Sequence, residues 1–286
     1  MHETENGSTA GGQPDAPRHA KVVRLETHQG PGRAAETTMP PIDGRLVSLL
    51  APNSLEAEQY RTLRHVLEER RAEMRVIAVT SAVSGEGKTT TAINLAAALA
   101  QDAETRVLLV DADLRAPSVG RLLGLDSAAP GLVESARDGN GTPEDFVKRR
   151  PPSRLAILPA GRTPEHPYEA LKSAGIGKVM QAARGLYDFI VVDTPPLLPV
   201  PDNRALAKWV DGFLLVVAAH RTPRHLLEEG LRVLEHARVA GIVFNGDDRP
   251  SSAYYGSYYG HGRDQGDWGA ARRERPVWKK VGAPWR

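Results

Sequence analysis

The chain of 286 residues contains no cysteine. That excludes a disulfide framework, thiolate metal ligands and thiol nucleophiles. Aromatic residues are scarce, at 5%. Excess charge of one sign is missing too: 37 Lys and Arg face 35 Asp and Glu, a net +2. So mild a balance gives no argument for nucleic acid, and none is expected as a partner. Long apolar runs are also absent. Phe213-Leu214-Leu215-Val216-Val217-Ala218-Ala219 is far short of the roughly 20 residues a spanning helix needs. The N-terminus has no apolar signal core. These absences lead to the expectation of a cytoplasmic protein.

What is present is an ordinary globular composition, 41% hydrophobic and 25% charged, with two unusual ends. Residues 1–40 are rich in Gly, Pro, Thr, Glu and His without an apolar period, and read as a disordered tail. Residues 247–286, dominated by Gly, Ser, Tyr and Arg, read as a flexible tail. Between them, 41–246 form one domain large enough for a single sizeable core. Basic residues gather at the end: Arg263, Arg272, Arg273, Arg275, Lys279, Lys280 and Arg286, interleaved with Trp268, Trp278 and Trp285. That stretch reads either as a solvated tail or as an anchor for an anionic membrane surface or a partner protein.

Periodicity predicts an amphipathic helix over Glu56–Glu69, capped by Ser54, with Ala57, Tyr60, Leu63, Val66 and Leu67 as its apolar stripe. Strands are predicted near 75–80, 106–111, 154–158, 188–193, 212–218 and 240–244, and helices near 88–101, 168–185, 202–208 and 223–237. Several strands are apolar almost throughout, as strands covered on both faces are. The alternation predicts an α/β fold: a mostly parallel sheet with helices on both faces, whose ligands sit at the carboxyl ends of strands.

One of those ends carries the most informative segment, Val83-Ser84-Gly85-Glu86-Gly87-Lys88-Thr89-Thr90. It follows the apolar run Val76–Val79 and opens onto Ala92–Leu99, which has helical spacing. Strand, glycine-rich loop, Lys-Thr and helix is the P-loop order, and its physics is anion capture. Gly85 and Gly87 let the backbone curl so that N–H groups face phosphate oxygens, and the helix N-terminus adds positive partial charge. In that pattern Lys88 reaches the β- and γ-phosphates of ATP and Thr89 offers its hydroxyl to Mg²⁺. The pattern's first Gly is replaced by Ala82.

Two acidic motifs also fall at strand ends. Val107-Leu108-Leu109-Val110 runs into Asp111-Ala112-Asp113-Leu114-Arg115, and Phe189-Ile190-Val191-Val192 runs into Asp193. A carboxylate just past a buried strand suits Mg²⁺, which takes one or two carboxylates and keeps several waters. If extended, the first of these segments points Asp111, Asp113 and Arg115 to one side. Such a cluster fits counter-charges from Mg²⁺ and phosphate, with one carboxylate positioning a nucleophilic hydroxyl or taking its proton. Tyr254, Tyr255, Tyr258 and Tyr259 form a separate cluster in a polar stretch.

Taken together, these motifs resemble the Walker A, A′ and B motifs of bacterial tyrosine kinases of capsule and exopolysaccharide synthesis. Glu58-Gln-Tyr-Arg61-Thr-Leu-Arg64 is similar to that family's Glu-x-x-Arg-x-x-Arg helix. Leu158-Pro-Ala-Gly161 with His166–Leu171, and the tyrosine cluster, agree as well. Ser84 stands where the family often has Pro or Gly, and His166 where it usually has Asn. The stretch Gly131–Ala136 lacks the apolar spacing expected there.

The resemblance implies a set of roles. Ser84, Gly85, Glu86, Gly87, Lys88, Thr89, Thr90 and Asn245 would bind nucleotide, Asn245 at the adenine. Thr89, Asp111 and Asp193 would hold Mg²⁺. Lys88, Asp111, Asp113 and Arg115 would carry the chemistry. Glu58, Arg61 and Arg64 would make subunit contacts in a ring-like homo-oligomer. The four tyrosines would be phosphorylated in trans. A membrane-embedded polysaccharide chain-length regulator would recruit the chain to the inner face of the membrane and activate it. Two other readings stay open at this point: a partitioning- or division-site-type ATPase switch, and a non-catalytic nucleotide-dependent adaptor. The first expects a signature Lys at the start of the loop, where Val83 stands.

Overall fold

The structure is a computed structural model that describes residues 40–246, apart from 127, 140, 141, 235 and 236. The expected tails and Tyr254, Tyr255, Tyr258 and Tyr259 lie outside the described residues. From the N-terminal side the elements are α1 (Val47–Leu50), α2 (Leu55–Glu68), β1 (Val76–Ser81), α3 (Lys88–Leu99) and β2 (Val107–Asp111). Next come α4 (Val119–Leu122), α5 (Leu132–Asp138), a 3₁₀ turn (Glu144–Phe146), β3 (Lys148–Arg149) and β4 (Ala156–Leu158). Then follow α6 (Pro167–Lys172), α7 (Ala174–Leu186), β5 (Phe189–Asp193), α8 (Asp202–Leu206), β6 (Gly212–Ala218), α9 (Arg224–Val233) and β7 (Val239–Asn245).

The strands form one sheet in the order β3-β4-β2-β5-β1-β6-β7. All pairings are parallel except β3 with β4. Every residue of β1, β2, β5 and β6 is buried, because alternate side chains serve two separate cores. Ile77, Val79, Leu109, Val191, Leu214 and Val216 meet α3 and its neighbours on one face. Val76, Leu108, Val110, Ile190 and Val192 meet α5, α7 and α8 on the other. Ala78, Phe213, Leu215 and Val217 extend that second layer toward α9.

Helix α3 is nearly all core. Its alanines let it lie close to the sheet while α1 and α2 cover its back, so it has almost no polar face to show. Three polar residues of α3 are buried with the rest, Thr89, Thr91 and Asn94, and Asn94 ties the helix to its cover. Its Oδ1 accepts the Ser48 N–H (2.9 Å) and its Nδ2 donates to the carbonyls of Arg45 and Thr90 (3.0 Å each).

The predicted strands are all present. Ser54 caps α2 as expected, accepting the Ala57 N–H at 3.2 Å. Several details differ from the sequence reading. The single helix predicted over 168–185 is two, broken where extended Ser173 turns its side chain to cap α7. The stretch thought to lack apolar spacing begins helix α5, anchored by adjacent Leu132 and Val133. Val66, assigned to the apolar stripe of α2, is exposed, since it points about 100° around the helix from buried Leu67.

Candidate nucleotide and magnesium site

Register assembles the site. β5 lies between β1 and β2 in the sheet. The pairing sets Asp111 directly opposite Asp193, and Val79 opposite Asp193 on the other side. Residues paired in register on parallel strands share a face. Asp111 follows the parity of Leu109, and Asp193 that of Val191, so both carboxylates emerge on the α3 face. The backbone continues the pairing beyond the strands, with the Ala112 N–H donating to the Asp193 carbonyl at 2.8 Å.

The glycine loop feeds α3 from the end of β1. Gly85 and Gly87 have φ of 84° and 92°, conformations that a side chain makes costly. A Cβ on Gly87 would also stand 2.0 Å from the Asn245 Nδ2. That Nδ2 donates to the Glu86 carbonyl at 2.9 Å, so the end of β7 is stitched to the loop. Helix α3 starts at Lys88 with no side-chain cap. Its first N–H groups, which no helix start can pair internally, therefore lack a side-chain acceptor as well, the condition under which a helix start receives an anion.

Lys88 Nζ lies 2.7 Å from Asp113 Oδ2, with the two side chains 11% and 3% exposed. Burial works against the Lys88 charge, but the carboxylates of Asp193, Asp113 and Asp111 outweigh it and hold its pKa above the ordinary value. Asp111 is pushed well up, first by burial and then by Asp193, although the N–H groups of Val119 and Asp113 pull the other way. It accepts from Ser118 and Val119 (3.1 Å each) and from Asp113 (3.2 Å). Asp113 Oδ1 accepts the Ala116 N–H at 3.1 Å. Asp193 is fully buried, and neither of its oxygens has a hydrogen-bond partner. Burial raises its pKa against the pulls of Lys88 and the nearby Thr89 hydroxyl. Thr89 Oγ1 is 3.1 Å from Ser118 Oγ.

The residues present fit a magnesium–nucleotide. Three buried carboxylates share one ammonium, and one of them is an orphan beside an uncapped helix start. Mg²⁺ takes only one or two carboxylates, and water and substrate phosphate complete its shell.

Arg115 departs from the expected cluster. Its guanidinium makes a bidentate pair with Asp202 at the start of α8, 2.8 and 3.0 Å, instead of joining Asp111 and Asp113. The strand ends at Asp111, so the alternation that aligned the three residues ends there too. The family helix is engaged within the chain: Arg61 pairs with Glu58, and Arg64 with Glu68 (2.7 Å) and the Ala98 carbonyl (3.0 Å). Sequence reasoning missed Asp202 and also Thr222, whose hydroxyl donates to the Glu86 carboxylate. No local motif marks either residue.

A glycine loop on a central strand, with acidic ends on the next two strands to one side of it, defines a P-loop nucleotide-binding protein. A family profile described as AAA domain matches residues 74–222. The tyrosine-protein kinase YwqD of Bacillus subtilis is 34% identical over 219 residues, covering 75% of this chain and 91% of YwqD. The tyrosine-protein kinase CpsD of Streptococcus agalactiae is 32% identical, with 72% and 90% covered. Among solved structures, the kinase domain of the Escherichia coli tyrosine kinase ETK is similar, with a TM-score of 0.66, 27% identity, and 73% of this chain and 83% of that one covered. The chain belongs to the bacterial tyrosine kinases of capsule and exopolysaccharide biosynthesis.

Proposed function

We propose that the chain is an ATP- and Mg²⁺-dependent tyrosine autokinase that phosphorylates Tyr254, Tyr255, Tyr258 and Tyr259 in trans. The observation that carries this reading is the meeting of an uncapped, glycine-led helix start with three buried carboxylates and one lysine. When bound, ATP supplies the phosphoryl group and Mg²⁺ offsets its charge. Lys88 and the loop 84–90 would hold the phosphates. Thr89, Asp111 and Asp193 would hold the metal. Asp113, fixed by Lys88 and the Ala116 N–H, would orient the attacking tyrosine hydroxyl or take its proton. Arg115, clamped on Asp202, would hold the acidic segment in place. Asn245 would contribute to nucleotide binding from the end of β7.

The Glu58–Arg61 pair is an i,i+3 contact on a helix surface, worth a few tenths of a kcal/mol. Exchanging it for an acidic group on a neighbouring subunit costs little, which supports a ring-like homo-oligomer built on Glu58, Arg61 and Arg64. Among the described residues no helix is long and apolar enough to cross a membrane. The succinoglycan biosynthesis transport protein ExoP of Rhizobium meliloti matches 85% of this chain, but the match covers 31% of ExoP. We read the chain as a cytoplasmic kinase recruited to the inner membrane face by a membrane-embedded chain-length regulator, without nucleic acid as a partner.

The test is a phosphotyrosine blot of the full chain with ATP and Mg²⁺, with and without EDTA. Label should appear only with the metal, and vanish when all four tyrosines become Phe while nucleotide binding persists. Retained label would move the acceptor to Tyr60, Tyr168 or Tyr187. A blank blot with ATP still hydrolysed, even with the regulator added, would overturn the kinase reading.

A further inference from the structure

Glu86 is an awkward residue in an anion-binding loop. It sits between the two loop glycines, is nearly fully buried, and carries a carboxylate where phosphate is expected. Its carboxylate partners are neutral. Oε2 accepts the Val83 N–H at 3.0 Å, and Oε1 accepts the Thr222 hydroxyl.

Thr222 is itself fixed. Its N–H donates to the Ala218 carbonyl at 3.0 Å, and its Oγ1 accepts the Ala218 N–H at 3.1 Å. With that lone pair occupied, its single proton is left for Glu86. The turn that carries it includes His220 at φ 59°, a left-handed conformation that persists only where the surroundings fix it. The partners thus come from opposite directions: the loop's own Val83 and the far end of β6, 136 residues away in sequence.

We propose that Thr222 is a positioning residue for the phosphate loop. By anchoring the Glu86 carboxylate to the end of β6, it turns that negative charge away from the incoming phosphates and fixes the curl of residues 83–87. This deepens the kinase reading and rests on the loop being the nucleotide site. Released from Thr222, the carboxylate becomes a mobile like charge beside the polyphosphate. Loss of the hydroxyl therefore weakens nucleotide binding more than it slows phosphotransfer from bound nucleotide.

The experiment measures the dissociation constant of a fluorescent ATP analogue with Mg²⁺, and KM and kcat for autophosphorylation, in the full chain. Thr222→Val should raise Kd and KM about tenfold, the scale of one lost hydrogen bond to a charged group, with kcat changed less than about twofold. Thr222→Ser should restore both. In a Glu86→Gln background, where the charge is gone, the same Thr222→Val change should raise Kd less than about twofold. Thermal unfolding of each nucleotide-free variant separates a folding defect from a binding defect.

Two outcomes overturn the inference: Thr222→Val binds like wild type, or it loses affinity equally in the wild-type and Glu86→Gln backgrounds. Serine failing to rescue in a folded variant would also overturn it. If the wild-type chain itself bound no nucleotide, the reading of the site would fall first and this inference with it.

Discussion

Lys88→Met tests the electrostatics of the site most directly, because it has two separable consequences. Lys88 and Asp113 are in contact at 2.7 Å and both are mostly buried. Removing one partner of a buried pair leaves an uncompensated charge and costs about 3–5 kcal/mol. For a domain of this size each kcal/mol moves the unfolding midpoint by roughly 2–4 °C, so the variant should melt about 10 °C lower. The loss should depend on pH. Burial first, and then a neighbouring carboxylate (Asp193 for Asp111, Asp113 for Asp193), already raise the pKa values of Asp111 and Asp193, and without Lys88 they rise further. A folded-state pKa above the unfolded one means the folded chain binds more protons, so stability falls as pH rises through that range. The deficit should therefore be larger near pH 8 than near pH 6. Phosphorylation should be lost throughout, since positioning and charge neutralisation carry most of this chemistry. Adding Asp113→Asn removes the stranded charge while its Oδ1 can still accept the Ala116 N–H. The double variant should regain most of the midpoint and none of the activity. Calorimetry at two pH values and a phosphotyrosine blot read both arms. A single variant that melts like wild type, or a double variant that phosphorylates, would refute the reasoning.

Other perturbations address the frame around the site. Arg115→Ala strands the buried Asp202 carboxylate. Because the arginine is partly exposed, the cost should sit below the full buried-pair value, about 2 kcal/mol by urea unfolding, and Arg115→Lys should recover less than half of it. Asn245→Ala removes the donor to the Glu86 carbonyl and should raise the nucleotide Kd several-fold with little change in kcat; the reverse pattern would count against its place at the nucleotide. Asp211 accepts the N–H groups of Arg75 (2.9 Å) and Val76 (2.7 Å) and a bidentate pair from Arg184. Burial opposes its charge, but those donors prevail and lower its pKa. Asp211→Ala should cost about 2–3 kcal/mol at neutral pH. With a depressed folded pKa, that contribution is present above the ordinary carboxylate range and lost as pH falls below it, so the gap between variant and wild type should close below about pH 4.

Which parts of this were legible in the sequence follows from how local each signal is. The strands behind the site show as apolar runs because both faces of the sheet are covered. The loop shows because positive φ demands glycine at two fixed places. Strand β3 left no trace: it is two polar residues, Lys148 and Arg149, held at an edge by antiparallel pairing to β4. The break at Ser173 was hidden because Ser, Ala and Gly at 173–175 fit either a continuing helix or a new cap. Asp202 and Thr222 were invisible for a different reason. Their partners lie 87 and 136 residues away, so their meaning exists only in the folded topology. Arg115 was misread because period-two alternation was extended past the end of β2.

The charge balance explains why such a site would take metal and nucleotide together. Three acidic groups share one ammonium, so the site grows more negative as Asp111, whose pKa burial and Asp193 push up, gives up its proton across the paired strands from Asp193. Polyphosphate alone would bring more negative charge against those strand ends, in a setting too buried for water to screen it. A cation alone would meet Lys88 and lack the phosphate oxygens that complete its shell. Each ligand therefore removes the other's penalty, and their affinities must be coupled reciprocally. Titrating nucleotide in EDTA and in Mg²⁺ should show a coupling of at least about tenfold, and titrating Mg²⁺ with and without nucleotide should return the same factor. Asp193→Asn should shrink it, because the orphan carboxylate is the group most in need of a cation. Equal nucleotide affinity with and without the metal would mean that the acidic strand ends do not face the phosphates.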